Sequence, residues 1–204
     1  MNGTTTITNG QAMPAWGRLG PWYLIVSAGL ALMVTTAAAF IDAGIARPGD
    51  PHYAASGFVM TPVDLLLALG FAAMASASAV SAGWLKKTAF ALLIGGSLVM
   101  VPAEALLRVD FGLGNVIFGI AGPLQALGMI LAGIGVIRTG RWSSWRRFAL
   151  VAMGLYIPLV MMPWLILGHG TGLLPLAGYH LFVLLIGIAY LVEDQAYARA
   201  PFPS

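Results

Sequence analysis

Six long apolar stretches, separated by short polar or glycine-rich breaks, occupy most of the chain. Each is about 20 residues long, the length that a helix needs to cross ~30 Å of hydrocarbon. Inside lipid the backbone polar groups must be bonded within the segment, which a helix achieves. The sequence therefore predicts an all-α fold, a polytopic integral membrane bundle of six transmembrane helices. The predicted spans are 22–41, 62–82, 88–107, 113–137, 148–168 and 174–192.

The polar segments are too short to form a separate soluble domain. Only 8% of the residues are charged, against about 25% in an ordinary soluble domain. We therefore expect one transmembrane domain at 21–195, with a polar N-terminal tail at 1–20 and a C-terminal tail at 196–204. Any chemistry must take place between the helices or at their ends.

Basic residues predict the orientation of the bundle, because Lys and Arg concentrate on the cytoplasmic side. Eight of the ten flank one set of span ends, and Arg47 and Arg108 flank the other. This split predicts that both termini are cytoplasmic. The composition favours a multi-pass protein of a bacterial inner (plasma) membrane, with the lipid bilayer as its first partner. The eight are Arg18, Lys86, Lys87, Arg138, Arg141, Arg146, Arg147 and Arg199.

Three ionisable residues on different spans form the candidate catalytic set. Asp64, Glu104 and His180 all fall toward the predicted outer ends of their helices. Ionisable groups inside spans are costly and usually face the interior of a bundle or a wet cavity. We expect the three side chains to converge in one outer layer, where acid–base chemistry is favoured.

Each of these residues also has a purely structural interpretation. The run Thr61-Pro62-Val63-Asp64 is typical of a helix start, with Thr61 as N-cap and Asp64 satisfying helix-end amides. Glu104 and Arg108 have the spacing of an intrahelical ion pair. His180 has the alternative of a hydrogen-bonded packing residue. The sequence leaves both interpretations open for each residue.

Four further polar residues are candidate substrate-binding groups: Arg108, Gln125, Tyr156 and Tyr179. Arg108 is placed to hold an anion or a hydroxyl. Gln125 and Tyr156 lie near the middle of spans 4 and 5, where they can bond each other across helices. The basic run from Arg138 to Arg147 is typical of a solvated, headgroup-binding connection.

The sequence predicts no cofactor and no metal. It has no cysteine, and its three histidines match no zinc-binding spacing. Both lysines lie at the predicted cytoplasmic boundary, which argues against a retinal Schiff base inside a span. The basic residues are explained by topology, so we expect no nucleic-acid partner. We recognise no family motif in the chain.

Two classes of function remain open. In the first, a polar pocket near the outer leaflet binds a lipophilic small molecule, and a cofactor-free isomerase or cyclase acts there on an isoprenoid or lipid. Asp64 or Glu104 is then the general acid, His180 its partner and Arg108 the group that holds the substrate. In the second, the chain is a non-enzymatic transporter or an accessory subunit, with a membrane-protein partner or a second copy of itself.

Overall fold

The computed structural model describes residues 15–41, 51–76, 80, 83–166 and 173–199. Within this part of the chain every regular element is helical. A 3₁₀ turn, Ala15–Leu19, leads into the bundle. The helices are α1 (Gly20–Ile41), α2 (Pro51–Ser76), α3 (Trp84–Val109), α4 (Phe111–Thr139), α5 (Ala149–Tyr156), α6 (Met162–Ile166) and α7 (Leu173–Arg199). A π-helical segment, Ile157–Met161, joins α5 to α6.

Among the described residues, six segments are long and apolar enough to cross a membrane, which confirms the prediction of six apolar helices of spanning length and supports a multi-pass membrane protein. They are Trp16–Ala38, Phe58–Ser76, Trp84–Leu107, Gly112–Thr139, Ser144–Trp164 and Leu174–Gln195. The fifth runs through α5, the π-helical segment and most of α6. The orientation of the termini, the kind of membrane and the bacterial source stay predictions.

The helices form an antiparallel ring in which each packs mainly against its neighbours in the order α7, α1, α2, α3, α4 and α5. Glycines allow the closest approaches in the ring. A Cβ on Gly128 would lie 2.8 Å from Cγ of Leu93 and 2.9 Å from the carbonyl oxygen of Ala89. Such close approach of small residues is the usual way in which helices associate in lipid.

The interior of the ring is filled by large apolar side chains that are fully buried. Helix α2 contributes Leu67, Phe71 and Met74, while Met129 comes from α4 and Ile186 from α7. Apolar side chains on the outside, among them Phe58, Val116 and Leu159, are well exposed. An apolar exterior is expected for a bundle whose solvent is lipid.

Helix α2 corrects the predicted helix start at Thr61 and Pro62. The helix begins at Pro51, so Pro62 lies inside it and Asp64 lies more than three turns from its start. The capping interpretation of Thr61 and Asp64 is therefore wrong. Proline is tolerated here although it removes one helix bond, because membrane helices accommodate such breaks. Most of the predicted end of the second span, at 77–82, lies outside the described residues.

The connection from α3 to α4 consists of Asp110 alone. Its backbone N–H donates to the carbonyl of Leu106 at 2.7 Å, which closes α3. Its carboxylate accepts the backbone N–H of Leu113 at 3.0 Å, which caps α4. This geometry gives Asp110 a structural role.

Candidate functional site

A chain of hydrogen bonds crosses the interior between α7, α4 and α3. The hydroxyl of Tyr179 donates to Oε1 of Gln125 at 2.8 Å. The Gln125 amide nitrogen donates to Oγ of Ser97 at 2.9 Å, and Ser97 donates to the Leu93 carbonyl at 2.9 Å. Gln125 and Ser97 are completely buried, and Tyr179 nearly so. Buried polar groups of this kind need partners, and here each finds one on a neighbouring helix or turn.

Two carboxyl groups, Asp64 and Glu104, are placed to interact with each other and, through Asp64, with Tyr179 of this chain of bonds. Asp64 is 7% exposed and lies on α2 close enough to Glu104 on α3 for the two charges to interact. Its charge also acts on Tyr179. We call the group Asp64, Ser97, Glu104, Gln125 and Tyr179 the interior polar cluster.

The buried position of Asp64 matters more once its capping role is removed. A carboxylate in the middle of an apolar helix is expensive, and a helix end no longer explains it. Its neighbour Val63 accepts a hydrogen bond through its backbone carbonyl from Ser27 on α1 at 3.0 Å. That bond holds this part of α2 against α1 and fixes where Asp64 sits.

His180 lies next to the cluster and is 4% exposed. Its ring meets the ring of Tyr179 edge to face, with centroids 5.1 Å apart. Its Nδ1 atom makes no hydrogen bond to a described group. The hydrogen-bonded packing role weighed for His180 is therefore not fulfilled at this atom. A buried imidazole nitrogen in this position can bond a group that enters from outside the chain.

Tyr156 and Arg108 are the remaining candidate substrate-binding residues. The sequence suggested a bond between Tyr156 and Gln125, but the structure shows a different partner. The Tyr156 hydroxyl donates to the carbonyl of Pro175 on α7 at 3.0 Å. Its ring packs on Phe182 at 5.2 Å between centroids. Arg108 follows Glu104 by one turn of α3, and its side chain lies outside the described residues, as do those of His52 and His169.

At the other end of the bundle, the connection 140–148 between α4 and α5 is tied to α7. Glu193 accepts the backbone N–H of Ser143 at 2.8 Å and its hydroxyl at 3.1 Å. Nε of Arg146 lies 2.7 Å from the same carboxylate, so the two groups form an ion pair. The Nε–H itself makes no hydrogen bond. Trp142 is 2% exposed and stacks on Tyr190 at 6.5 Å.

This tie changes part of the prediction of a solvated, headgroup-binding connection. Trp142 and Arg146 are engaged by α7, whereas Trp145 and Arg147 remain exposed. Sequence reasoning missed the role of Glu193, which it placed only at the end of a helix. The usable signal was the acidic pair Glu193 and Asp194 opposite a basic run at the same predicted membrane boundary.

Compared with known proteins, the chain matches no family model, no curated protein and no solved structure. Among the described residues, no group of three or more histidine, aspartate and glutamate side chains is placed to hold a metal ion. The arguments for function therefore rest on the interior polar cluster and on His180.

Proposed function

We propose that the chain binds a lipophilic small molecule between its helices, with the interior polar cluster and His180 as the polar end of the site. The observation that carries this proposal is Asp64, a buried carboxylate in the middle of α2 that is 7% exposed and close to a second carboxylate. An ionisable residue so placed in a span marks a functional site by default. The apolar surroundings suit an isoprenoid or another lipid.

The same geometry supports a cofactor-free isomerase or cyclase as the chemistry of the site. Two carboxyl groups near each other in a low-dielectric interior favour a shared proton, and acid–base catalysis needs a group that can give and take one. Asp64 or Glu104 serves as the general acid in this proposal. The acid protonates the substrate, His180 removes a second proton from it and returns that proton to the carboxyl group, and Arg108 holds the polar end of the substrate. Glu104→Gln is then expected to abolish turnover in a protein that still folds.

The binding proposal is tested by native mass spectrometry with lipid analysis on protein extracted into polymer nanodiscs, which never pass through detergent. A bound isoprenoid or lipid at one copy per chain is expected in the wild type and lost in Asp64→Asn. Asp110→Asn is the matched control, since it makes the same change while keeping an acceptor for the Leu113 amide. A molecule retained equally in both variants, or none in the wild type, contradicts the proposal.

A transporter is the second candidate, and the fifth span is the observation that favours it. The π-helical segment Ile157–Met161 interrupts this span and contains Pro158. Interrupted helices and π-helical turns recur at functional sites of membrane proteins. Uptake of a lipophilic cation or of protons into liposomes that contain the protein distinguishes this function. Uptake abolished by Asp64→Asn supports transport, and a rate equal to that of empty liposomes contradicts it.

A further inference from the structure

One nitrogen of the His180 ring is buried without a bond. The side chain is 4% exposed, and Nδ1 makes no hydrogen bond to a described group. The edge-to-face contact with Tyr179 leaves this atom unbonded. Leaving a buried polar atom unbonded costs free energy, and a bound molecule that bonds Nδ1 would remove this cost.

Packing between α7 and α1 shows which way His180 faces. A Cβ added to Gly187 on α7 would lie 2.8 Å from Cγ1 of Ile25 and 3.2 Å from its backbone nitrogen. Residues seven apart lie on nearly the same face of a helix, so His180 also lies on the side of α7 that turns toward α1. The two helices run antiparallel, and seven residues advance a helix by ~10 Å. His180 therefore lies near the height of Ala31.

Asp64 lies at a similar height on α2, the other neighbour of α1. Oγ of Ser27 on α1 donates at 3.0 Å to the carbonyl of the residue before Asp64, so Asp64 lies near the height of Ser27. Ser27 and Ala31 are about one turn apart. Over 27–31 the residues that α1 buries are all small: Ser27, Ala28 and Ala31. No large side chain buried by this part of α1 therefore separates Asp64 from His180.

The two side chains restrict the chemistry of a polar group that bonds both. Asp64 is 7% exposed, so a phosphate or a carboxylate would bring a second acidic group into a low-dielectric interior, where like charges repel strongly. An ammonium group would have to give up its water in the same interior. Ether and carbonyl oxygens only accept hydrogen bonds. A hydroxyl both donates and accepts, so it can bond a carboxyl group and an imidazole nitrogen at once.

We propose that the bound molecule is a long-chain alcohol whose hydroxyl bonds Nδ1 of His180 and the carboxyl group of Asp64. This inference rests on the proposed function, because it names the polar end of the ligand that the site binds. The hydroxyl donates to Nδ1 in one imidazole tautomer and accepts from it in the other, so the assignment holds for both. Prenyl alcohols belong to this class, whereas prenyl phosphates and fatty acids do not.

The test uses the full chain in nanodiscs to which one probe at a time is added. The probes are geranylgeraniol and its methyl ether, carboxylic acid and primary amine analogues, which differ only at the polar end. Native mass spectrometry at rising probe concentrations gives the apparent affinity for each. The alcohol is expected to bind roughly tenfold more tightly than each analogue, the effect of one hydrogen bond.

Variants of His180 test the proposed contact itself. His180→Phe is expected to weaken binding of the alcohol roughly tenfold, because it removes Nδ1 and keeps a ring. His180→Asn is expected to restore most of that binding, since its amide carries a polar atom at the same position on Cγ. Thr35→Val is the matched control, because it removes a buried hydroxyl that is bonded within α1. It is expected to leave the affinity unchanged.

Equal affinity for the alcohol and its methyl ether, or tighter binding of the acid or the amine, would overturn the hydroxyl assignment and leave the proposed function in place. Unchanged alcohol binding in His180→Phe, or an equal loss in Thr35→Val, would overturn it as well. If none of the probes binds, this inference fails, and the co-purified lipid measured for the proposed function shows separately whether the binding site exists. Should His180→Phe fail to fold, the comparison of the probes in the wild type still decides between a hydroxyl and the other polar ends.

Discussion

The hydroxyl of Tyr179 donates a 2.8 Å hydrogen bond to the side-chain oxygen of Gln125, which joins α7 to α4 through the interior of the bundle. The amide nitrogen of Gln125 continues to Ser97 on α3. One amide thus fixes the relative height of three helices, and it does so beside Asp64 and Glu104. The positions of the candidate-site residues relative to one another depend on this bond.

The coupling between Tyr179 and Gln125 is measurable by a double-mutant cycle. Tyr179→Phe and Gln125→Leu are each expected to lower the free energy of unfolding. Their coupling energy is expected at about 0.6 to 1.7 kcal/mol, the range for such bonds between membrane helices. SDS-induced unfolding in mixed micelles measures the free energy of unfolding of the wild type, the two single variants and the double variant. Tyr23→Phe replaces Tyr179→Phe in a control cycle, and an equal coupling there would contradict the prediction.

The close approach of α3 and α4 predicts a position-dependent effect of adding one methyl group. Gly128→Ala places a Cβ against Leu93 and the Ala89 carbonyl, and is expected to cost about 1–3 kcal/mol. Gly119→Ala on the same helix meets no atom within 4 Å. It is expected to be neutral or stabilising by up to about 1 kcal/mol. The same unfolding assay compares the two variants, and equal effects would refute the packing argument.

The tie between α7 and the connection 140–148 predicts a specific role for Glu193. Glu193→Gln weakens the bonds to Ser143 and the pair with Arg146, and is expected to cost about 1–3 kcal/mol. Tryptophan fluorescence should shift to the red as Trp142 becomes hydrated. Asp194→Asn, at the next residue, removes the same charge and is expected to change neither reading. A red shift in that control of the same size would argue against the tie.

Because Asp110 caps α4, we expect the stability of the protein to depend on a hydrogen-bond acceptor at this position and not on a negative charge. Asp110→Ala removes the oxygen that accepts the Leu113 amide and is expected to cost about 1 kcal/mol. Asp110→Asn keeps an acceptor and is expected to lower the free energy of unfolding by only about a few tenths of a kcal/mol. Stabilities measured for both variants decide this. A large loss in Asp110→Asn would indicate that the carboxylate has a further partner.

The fold class follows from the sequence because apolar length alone determines it. Six stretches of membrane-spanning length permit few arrangements other than a helical bundle. The packing of Gly128 was also predictable, since small residues at helical spacing mark close contacts in lipid. Neither inference requires knowing which helix lies beside which.

The details of the site were less predictable, for two physical reasons. Pro62 suits both the first turn of a helix and the interior of a membrane helix, so the pattern around Asp64 did not reveal that α2 begins at Pro51. The partner of Gln125 depends on the rotation of α7 and α5 about their axes. Apolar periodicity does not fix that rotation when lipid and protein interior are equally apolar, and Tyr156 was chosen where Tyr179 is the partner.

The single-residue connection at Asp110 has a consequence for how the protein is made. One residue advances the chain by only ~3.8 Å, far less than the thickness of a bilayer. With this connection on the outer side, as the basic residues predict, α3 could not complete its crossing while α4 is still unmade, and the two would enter the membrane together as a hairpin. The charge of Glu104 would then enter the membrane as part of this hairpin and not on a single helix.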